Sequence, residues 1–340
     1  MNIMKRLGAL GMSLIIGSGL VACSDAGEPD GDELFPITLS LDWTPNTNHT
    51  GIYVAQEKGY FTEAGLDVTI IQPAENSAVS LAASGQAQFA IDAQDTMAAA
   101  LAIDEPLDIV AVAAILQHNT SGIISRAGEG LDVPGGLVGH RYSTWNNPIE
   151  LAMIQKLVED DGGDFDAIQI IPNTVTDEAA ALKAKQTDAI WIFYGWSGIN
   201  AEVSGLDFDY YHFADLDPVF DYYTPVIIAN TTFLDEQPEE AKAFLAAVSR
   251  GYDFAIEEPE EAADILIAGD DTGSLSGARE LVLESQTWIS EQYKDGDMRW
   301  GEFDATRWDR FYAWLYDEGL IENELLPGSG FTNDFLPDKD

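Results

Sequence analysis

From residue 39 the chain runs as a short alternating apolar strand. It then breaks into the polar loop Asp42-Trp43-Thr44-Pro45-Asn46-Thr47-Asn48-His49 and takes up helical spacing over 50–58. A βα rhythm follows: strand 68–72, helix 77–84 closed by Gly85, strand 88–91, helix 96–103 and strand 107–115. Strands alternating with short helices predict a parallel sheet. Near 121–126 the chain is expected to leave this first lobe, and Gly128, Gly130, Pro134, Gly135 and Gly136 make a turn-rich passage. A second βα series then reads as strand 140–143, helix 149–160, strand 168–171, helix 178–186, strand 189–193 and helix 197–203. Strand 226–229 brings the chain back, and 238–257, 259–267, 278–293 and 304–318 are helical. These last helices have no strands to cover except those of the first lobe. The expected architecture is therefore α/β with a discontinuous lobe one (35–122 and 225–340), lobe two (123–224), two crossings that form a hinge, and a ligand cleft between the lobes.

In such a protein the ligand meets loops at the carboxyl ends of strands from both lobes. Lobe one offers Asp42, Trp43, Asn46 and His49, then Asp92 and Gln94; lobe two offers Trp145, Asn146, Asn147, Tyr194 and Trp196; the hinge adds Tyr222. A neutral heteroaromatic ring needs stacking surfaces and a few directed hydrogen bonds rather than a charge cluster. Trp43, Trp145, Tyr194 and Trp196 suit the first task, and Asp42, Asp92, Gln94, Asn146 and Asn147 the second. Core packing remains an equal alternative for each aromatic taken alone, as does a cap or turn role for Asp42 and Asp92. Trp288, Trp300, Trp308 and Trp314 sit in the C-terminal helical region and read as packing. The backbone of 144–147 is placed to receive an anion ahead of a helix, but it has neither glycine nor a basic residue, which disfavours a phosphorylated ligand.

Residues 1–22 carry Lys5 and Arg6, a short apolar run and a small-residue junction ending at Cys23. This is the layout of an export signal, too short to span a bilayer, which needs about 20 apolar residues. Residues 24–33 are acidic and Gly-containing, a flexible tether within the 23–34 segment. Cys23 is the sole cysteine, so there is neither a disulfide framework nor a thiolate metal site. His49, His118, His140 and His212 lie on separate segments, no phosphate loop or nucleophile elbow is present, and no cofactor or metal is expected. With 16 Lys+Arg against 59 Asp+Glu, the formal charge of −43 repels nucleic acid and anionic lipid. Its even spread reads as a solvation adaptation to salty or alkaline surroundings.

The run Asp42 to Gly51, with Ala55-Gln56-Glu57-Lys58-Gly59-Tyr60-Phe61 and Gly65-Leu66-Asp67-Val68, resembles the opening of the thiamine-pyrimidine-precursor binding proteins. These are solute-binding subunits of ABC importers, in a family that also contains the yeast pyrimidine synthases. The junction at Cys23 likewise resembles a lipobox. The resemblance implies a type II periplasmic-binding-protein fold and a monomeric, extracytoplasmic lipoprotein lipidated at Cys23. It would bind an aminopyrimidine thiamine precursor and hand it to a permease and ATPase, without catalysis. In the yeast relatives the histidine matching His49 is associated with catalysis together with a cysteine-rich segment, which this chain lacks. Ser197 stands where the resemblance leads one to expect an acid after the second tryptophan. That departure keeps riboflavin, thiamine or another heteroaromatic solute in play, and a sulfonate less so, because Arg126 and Arg141 are the only nearby candidates for an anion clamp. A synthase, or a lipoprotein that senses a ligand for a membrane partner, is the rival from another class.

Overall fold

In the computed structural model, which describes residues 34–72, 77–173 and 175–338, the first strand, β1 (Phe35–Ser40), buries Ile37 and Leu39 in the core. The signal segment, most of the acidic tether and Cys23 lie outside the described residues. Strands β2 (Leu66–Ile71), β3 (Phe89–Asp92) and β4 (Ile109–Ala114) extend the first sheet. The second is built from β5 (Ser121–Arg126), β6 (Arg141–Thr144), β7 (Gln169–Pro172), β8 (Ala189–Phe193) and β9 (Phe208–His212), and β10 (Val226–Asn230) returns to the first. Strand orders are β2-β1-β3-β10-β4 and β7-β6-β8-β5-β9.

The expectation of parallel sheets holds for β1, β2 and β3 and for β6, β7 and β8, but both sheets are mixed. β10 runs antiparallel to β3 and β4, and β5 antiparallel to β8 and β9. The reason is geometric: a strand that enters its lobe across the hinge starts at the edge where its neighbours end. β9 is a strand that no sequence pattern predicts, and β5, expected only as the exit from lobe one, is a full strand of the second sheet.

Local chemistry sets the helix starts. Asn147 accepts a hydrogen bond from the Ile149 N–H, Pro148 occupies the first turn, and Glu150 closes the capping box of the Pro148–Asp160 helix. Asp177 caps the Glu178–Lys183 helix through the Ala180 N–H at 2.9 Å. In lobe one, Phe244 of the Pro238–Glu257 helix stacks on Phe89 and Phe61, with centroids 4.0 and 5.5 Å away. The same helix lies directly on Thr50–Glu57, where glycines from each chain segment let the backbones touch. A Cβ at Gly251 would collide with the Gly51 carbonyl, and one at Gly51 with the Tyr252 ring. Among the described residues no helix is long and apolar enough to cross a membrane.

The crossings run between β4 and β5 and between β9 and β10, and a polar cluster ties them together. The Asp221 carboxylate accepts from the His118 Nδ1–H at 2.8 Å and from the Asn119 N–H at 3.0 Å, while the Asn119 amide donates to the Phe220 carbonyl at 2.8 Å. His118 Nε2 lies 3.5 Å from Asp295, and Arg307 Nε 3.6 Å from Asp221. Tyr222 stacks on Phe311 with centroids 4.2 Å apart, so the Ala305–Asp317 helix braces the hinge as well as lobe one.

Two measurements test this packing. Gly251→Ala is expected to destabilise the chain by about 1–3 kcal/mol, because the clash outweighs the better helix propensity of alanine. Urea unfolding would show a lowered midpoint at unchanged slope. For His118, the Asp221 carboxylate holds the imidazole above its ordinary value, so the folded state binds the proton more tightly than the unfolded one. The stabilisation is then full below about pH 6.5 and is lost as pH rises through the raised value. The gap in melting temperature between the wild type and His118→Gln should therefore be wide at acid pH and narrow at alkaline pH.

Candidate functional site

Because β1, β2 and β3 run parallel, the loops after β1 and β3 leave lobe one from a single edge. The loops after β6, β7 and β8 leave lobe two from a single edge for the same reason. These edges face each other. The connecting element is the Arg279–Ile289 helix, whose Ser285 hydroxyl donates to the Gly195 carbonyl of lobe two and accepts from Thr47 Oγ1 of lobe one at 2.6 Å. Trp288 and Ile289 close around Gly195, and Trp288 meets the Tyr194 ring at 5.1 Å.

The first loop is held rigid from beneath. Asn46 caps the single turn Thr47–His49: its side-chain oxygen accepts from the Asn48 N–H and its amide donates to the Thr44 carbonyl. The Asn46 N–H donates to His49 Nδ1 at 3.3 Å, so the proton sits on Nε2, which donates to Asp42 Oδ1 at 2.8 Å. The imidazole is completely buried, while Asp42 keeps its side chain 34% exposed. Tyr252, Tyr293 and Thr50 add further ties, the first two to the Asn48 and Thr47 carbonyls and the third to Gln286 Oε1, each at 2.6 Å. Above this base Trp43 stands 61% exposed.

Asp92 ends β3 half-buried. Its Oδ1 accepts from the Ala93 N–H at 2.7 Å and from the Thr96 hydroxyl. Burial pushes its carboxyl up to about 7, with Asp95 and Asp42 adding repulsion. Burial likewise pushes the neighbouring Asp95 up to about 6. On the facing edge Trp145 is 46% exposed and leans on the buried Trp191 at 5.9 Å. Asn146 follows in a left-handed conformation at φ 62°, its N–H donating to Thr144 Oγ1. Asn147 is committed to its helix cap. Tyr194 and Trp196 lie in a π-helical turn, Tyr194–Gly198, where the sequence predicted an ordinary helix from 197. The Tyr194 hydroxyl donates to Glu202, and half-buried Trp196 packs against the lobe-one core.

Two expected contacts belong to the hinge instead of the cleft surface. Gln94 is fully buried: its side-chain oxygen accepts from the Tyr223 N–H and its amide donates to the Trp308 carbonyl. Tyr222 is 2% exposed beneath Phe311. Both sit one turn or less from the cleft in sequence, and a polar residue next to a strand end reads the same whether it faces ligand or hinge. Ser285 and Gln286 are the residues the sequence reading passed over. Their signal was present in the buried face Val282, Ser285, Gln286, Ile289, an apolar helical stripe broken by adjacent polar residues. Among the described residues no group of His, Cys, Asp and Glu is arranged to hold a metal.

A two-lobed α/β body with ligand loops on facing edges and a paired crossing is the type II periplasmic-binding-protein architecture. Residues 46–262 match the model described as NMT1/THI5 like, and the chain belongs to that family. It is 28% identical over 320 residues, 92% of this chain and 94% of the relative, to the formylaminopyrimidine-binding protein of Halalkalibacterium halodurans. It is 26% identical over 256 residues to the Saccharomyces cerevisiae 4-amino-5-hydroxymethyl-2-methylpyrimidine phosphate synthase THI5, covering 66% of this chain and 68% of that one. Among solved structures, the ligand-binding component of an ABC-type import system from Staphylococcus aureus aligns at TM-score 0.65 and 14% identity over 90% of this chain and 99% of that one.

His49→Ala, which removes a buried ring and two hydrogen bonds, should cost about 2 kcal/mol or more of stability. Trp43→Ala, at an exposed position, should stay within about 0.5 kcal/mol. Parallel denaturant titrations separate the loop's support from its contact surface.

Proposed function

We propose that this chain is the extracytoplasmic solute-binding component of an ABC importer, capturing a formylaminopyrimidine-type thiamine precursor by lobe closure and delivering it to a permease driven by an ATPase. The observation that carries the reading is the pair of exposed tryptophans, Trp43 and Trp145, on strand-end loops of facing lobes beside hydrogen-bonding rather than cationic groups. The resemblance to a formylaminopyrimidine-binding protein along nearly the whole chain supports the same cargo. Asp42, Asn146 and Asp92 are proposed to read the ring's nitrogen edge, and the tryptophans its faces. Cys23 is proposed as the lipidated residue that anchors a monomeric mature protein to the membrane.

A sulfonate reading needs an anion clamp, and the basic residues do not favour it. Arg126 and Arg141 both bind Asp188, at 2.8 Å each. They lie at the end of β5 and the start of β6, the edge of lobe two opposite the ligand loops. Those bonds hold the Asp188 carboxyl far below the usual range. A synthase reading is disfavoured by His49, whose two ring nitrogens are both engaged inside the loop.

Thermal-shift titration of the chain from Gly31 onward with formylaminopyrimidine, thiamine, riboflavin and taurine tests the assignment. A ligand at a hundred times its dissociation constant adds about 2.7 kcal/mol to the native state. The expected result is a raised midpoint with formylaminopyrimidine that Trp43→Ala and Trp145→Ala diminish. A shift with thiamine, riboflavin or taurine in its place would overturn the cargo.

A further inference from the structure

Two imidazoles face one cavity of about 410 Å³ at the pivot between the lobes. Its walls come from every part that a hinge motion moves: His118 and Asp221 on the two crossings, Trp288 in lobe one, and His212 and Asp215 in lobe two. The groups that face His118 are Asp221, Asp295 and Arg307. Its Nδ1 lies 2.8 Å from Asp221 Oδ2 and its Nε2 3.5 Å from Asp295 Oδ2, so both ring nitrogens are turned to carboxylates. A neutral imidazole has one N–H and one lone pair and serves only one of those acids, whereas the imidazolium serves both. With the proton gone, an acceptor points at an acceptor.

The turn that carries Asp295 is docked on the first crossing, because the Gln292 carbonyl accepts from the Gln117 N–H at 2.9 Å. That turn directly continues the Arg279–Ile289 helix, which brings Ser285 and Trp288 to Gly195 of lobe two. A pull on Asp295 is therefore a pull on the seam between the lobes. Arg307 Nε stands 3.6 Å from Asp221 and keeps its charge across the neutral range. Across the cavity His212 Nδ1 lies 3.6 Å from Asp215. Burial holds His212 below its ordinary value, while the hydrogen bond to Asp221 holds His118 above its own. The two rings thus titrate apart, and His118 keeps its proton to higher pH.

We propose that His118 is a proton-operated clasp of the hinge, tying the second crossing and the Asp295 turn to the first as imidazolium and releasing the Asp295 side when it loses the proton. The charged ring keeps the helix of Ser285 and Trp288 on lobe two and favours the closed arrangement; the neutral ring keeps Asp221, repels Asp295 and lets the lobes part more readily. Cargo is then held more tightly at mildly acid pH and given up more readily at alkaline pH. The consequence for cargo rests on the reading of the cleft as a solute site, and the effect on the hinge does not.

The compact body from Gly31 onward has no cysteine, so spin labels at the exposed positions Gln155→Cys in lobe two and Glu236→Cys in lobe one report the distance between the lobes. Pulsed electron resonance without cargo, at about pH 6 and about pH 9 on either side of the histidine range, reads the clasp directly. The expected result is a shift to longer distances at the higher pH that His118→Gln abolishes and Asp295→Asn diminishes. Calorimetry with formylaminopyrimidine over the same interval should show the wild-type dissociation constant rising about two- to fivefold more than that of His118→Gln, the scale of a partly exposed ion pair. Asp92 and Asp95 titrate in or near that interval in both proteins, so the difference between the two isolates His118. Distances that ignore pH in the wild type, or distances or affinities that follow pH identically in wild type and His118→Gln, would overturn the proposal. If formylaminopyrimidine does not bind, the cargo reading alone has failed, and the label distances still decide the clasp.

Discussion

A single buried hydroxyl joins the two halves of the candidate site. Ser285 is completely buried, donates to Gly195 in lobe two and accepts from Thr47 in lobe one. Its helix belongs to the lobe-one core through Val282 and Ile289, so lobe two's aromatic turn is docked onto lobe one by one polar contact set in an apolar seam. Gly195 keeps the seam close: a Cβ there would sit 3.1 Å from both the Trp288 ring and the Ile289 side chain. A seam of this kind is strong when shut and cheap to part: one hydrogen bond and a few ring contacts are exchanged for water. Thr47 and Asp42 sit on the same short loop, which ties the seam to the strand-end edge of lobe one.

The distribution of charge agrees with the proposed preference of the cleft for neutral or amine-bearing rings. The chain has few cations, and the structure spends them on joints between elements. Lys58 reaches Glu261, Arg250 reaches Glu63, Arg279 reaches Asp264, and Arg307 serves the hinge. The exposed pairs contribute little stability individually. Their consequence is spatial: positive charge is drawn to the outer joints and the hinge, leaving acids at the strand ends. Asp92 and Asp95 are pushed upward by their own burial, so the lobe-one edge carries carboxyls that hydrogen-bond readily without a fixed full charge.

Much of this was legible in the sequence, and the failures have physical causes. The loop from Asp42 to His49 declared itself because a proline, an amide cluster and a helix start in ten residues leave few conformations open. The βα rhythm located β1 to β4 and β6 to β8, since those strands are apolar runs between turn residues. β9 was hidden because Phe208-Asp-Tyr-Tyr-His mixes acid and aromatic residues without clean alternation, and it sits half-buried at the sheet edge. The strand at 226–229 was legible, but the antiparallel direction of β10, like the strand β5 itself, was hidden, because direction is set by hinge crossings and not by residue type. Gln94 and Tyr222 look like ligand contacts locally, yet their surroundings are supplied by Tyr223, Trp308 and Phe311, over eighty residues away from one or the other in sequence.

The setting of His49 is that of a support for the loop rather than of a reacting group. A reacting imidazole needs a nitrogen that can reach substrate and exchange a proton with it. Here Nδ1 accepts from the Asn46 backbone and Nε2 donates to Asp42, and no part of the ring meets solvent. The histidine would therefore act on a ligand only through Asp42, the proposed reader of the ring: it occupies one oxygen of that carboxylate and leaves the other available. A loop fixed this tightly lowers the entropic cost of holding a ring, which is what a binding protein needs, whereas a catalyst would need the proton that this geometry has already committed.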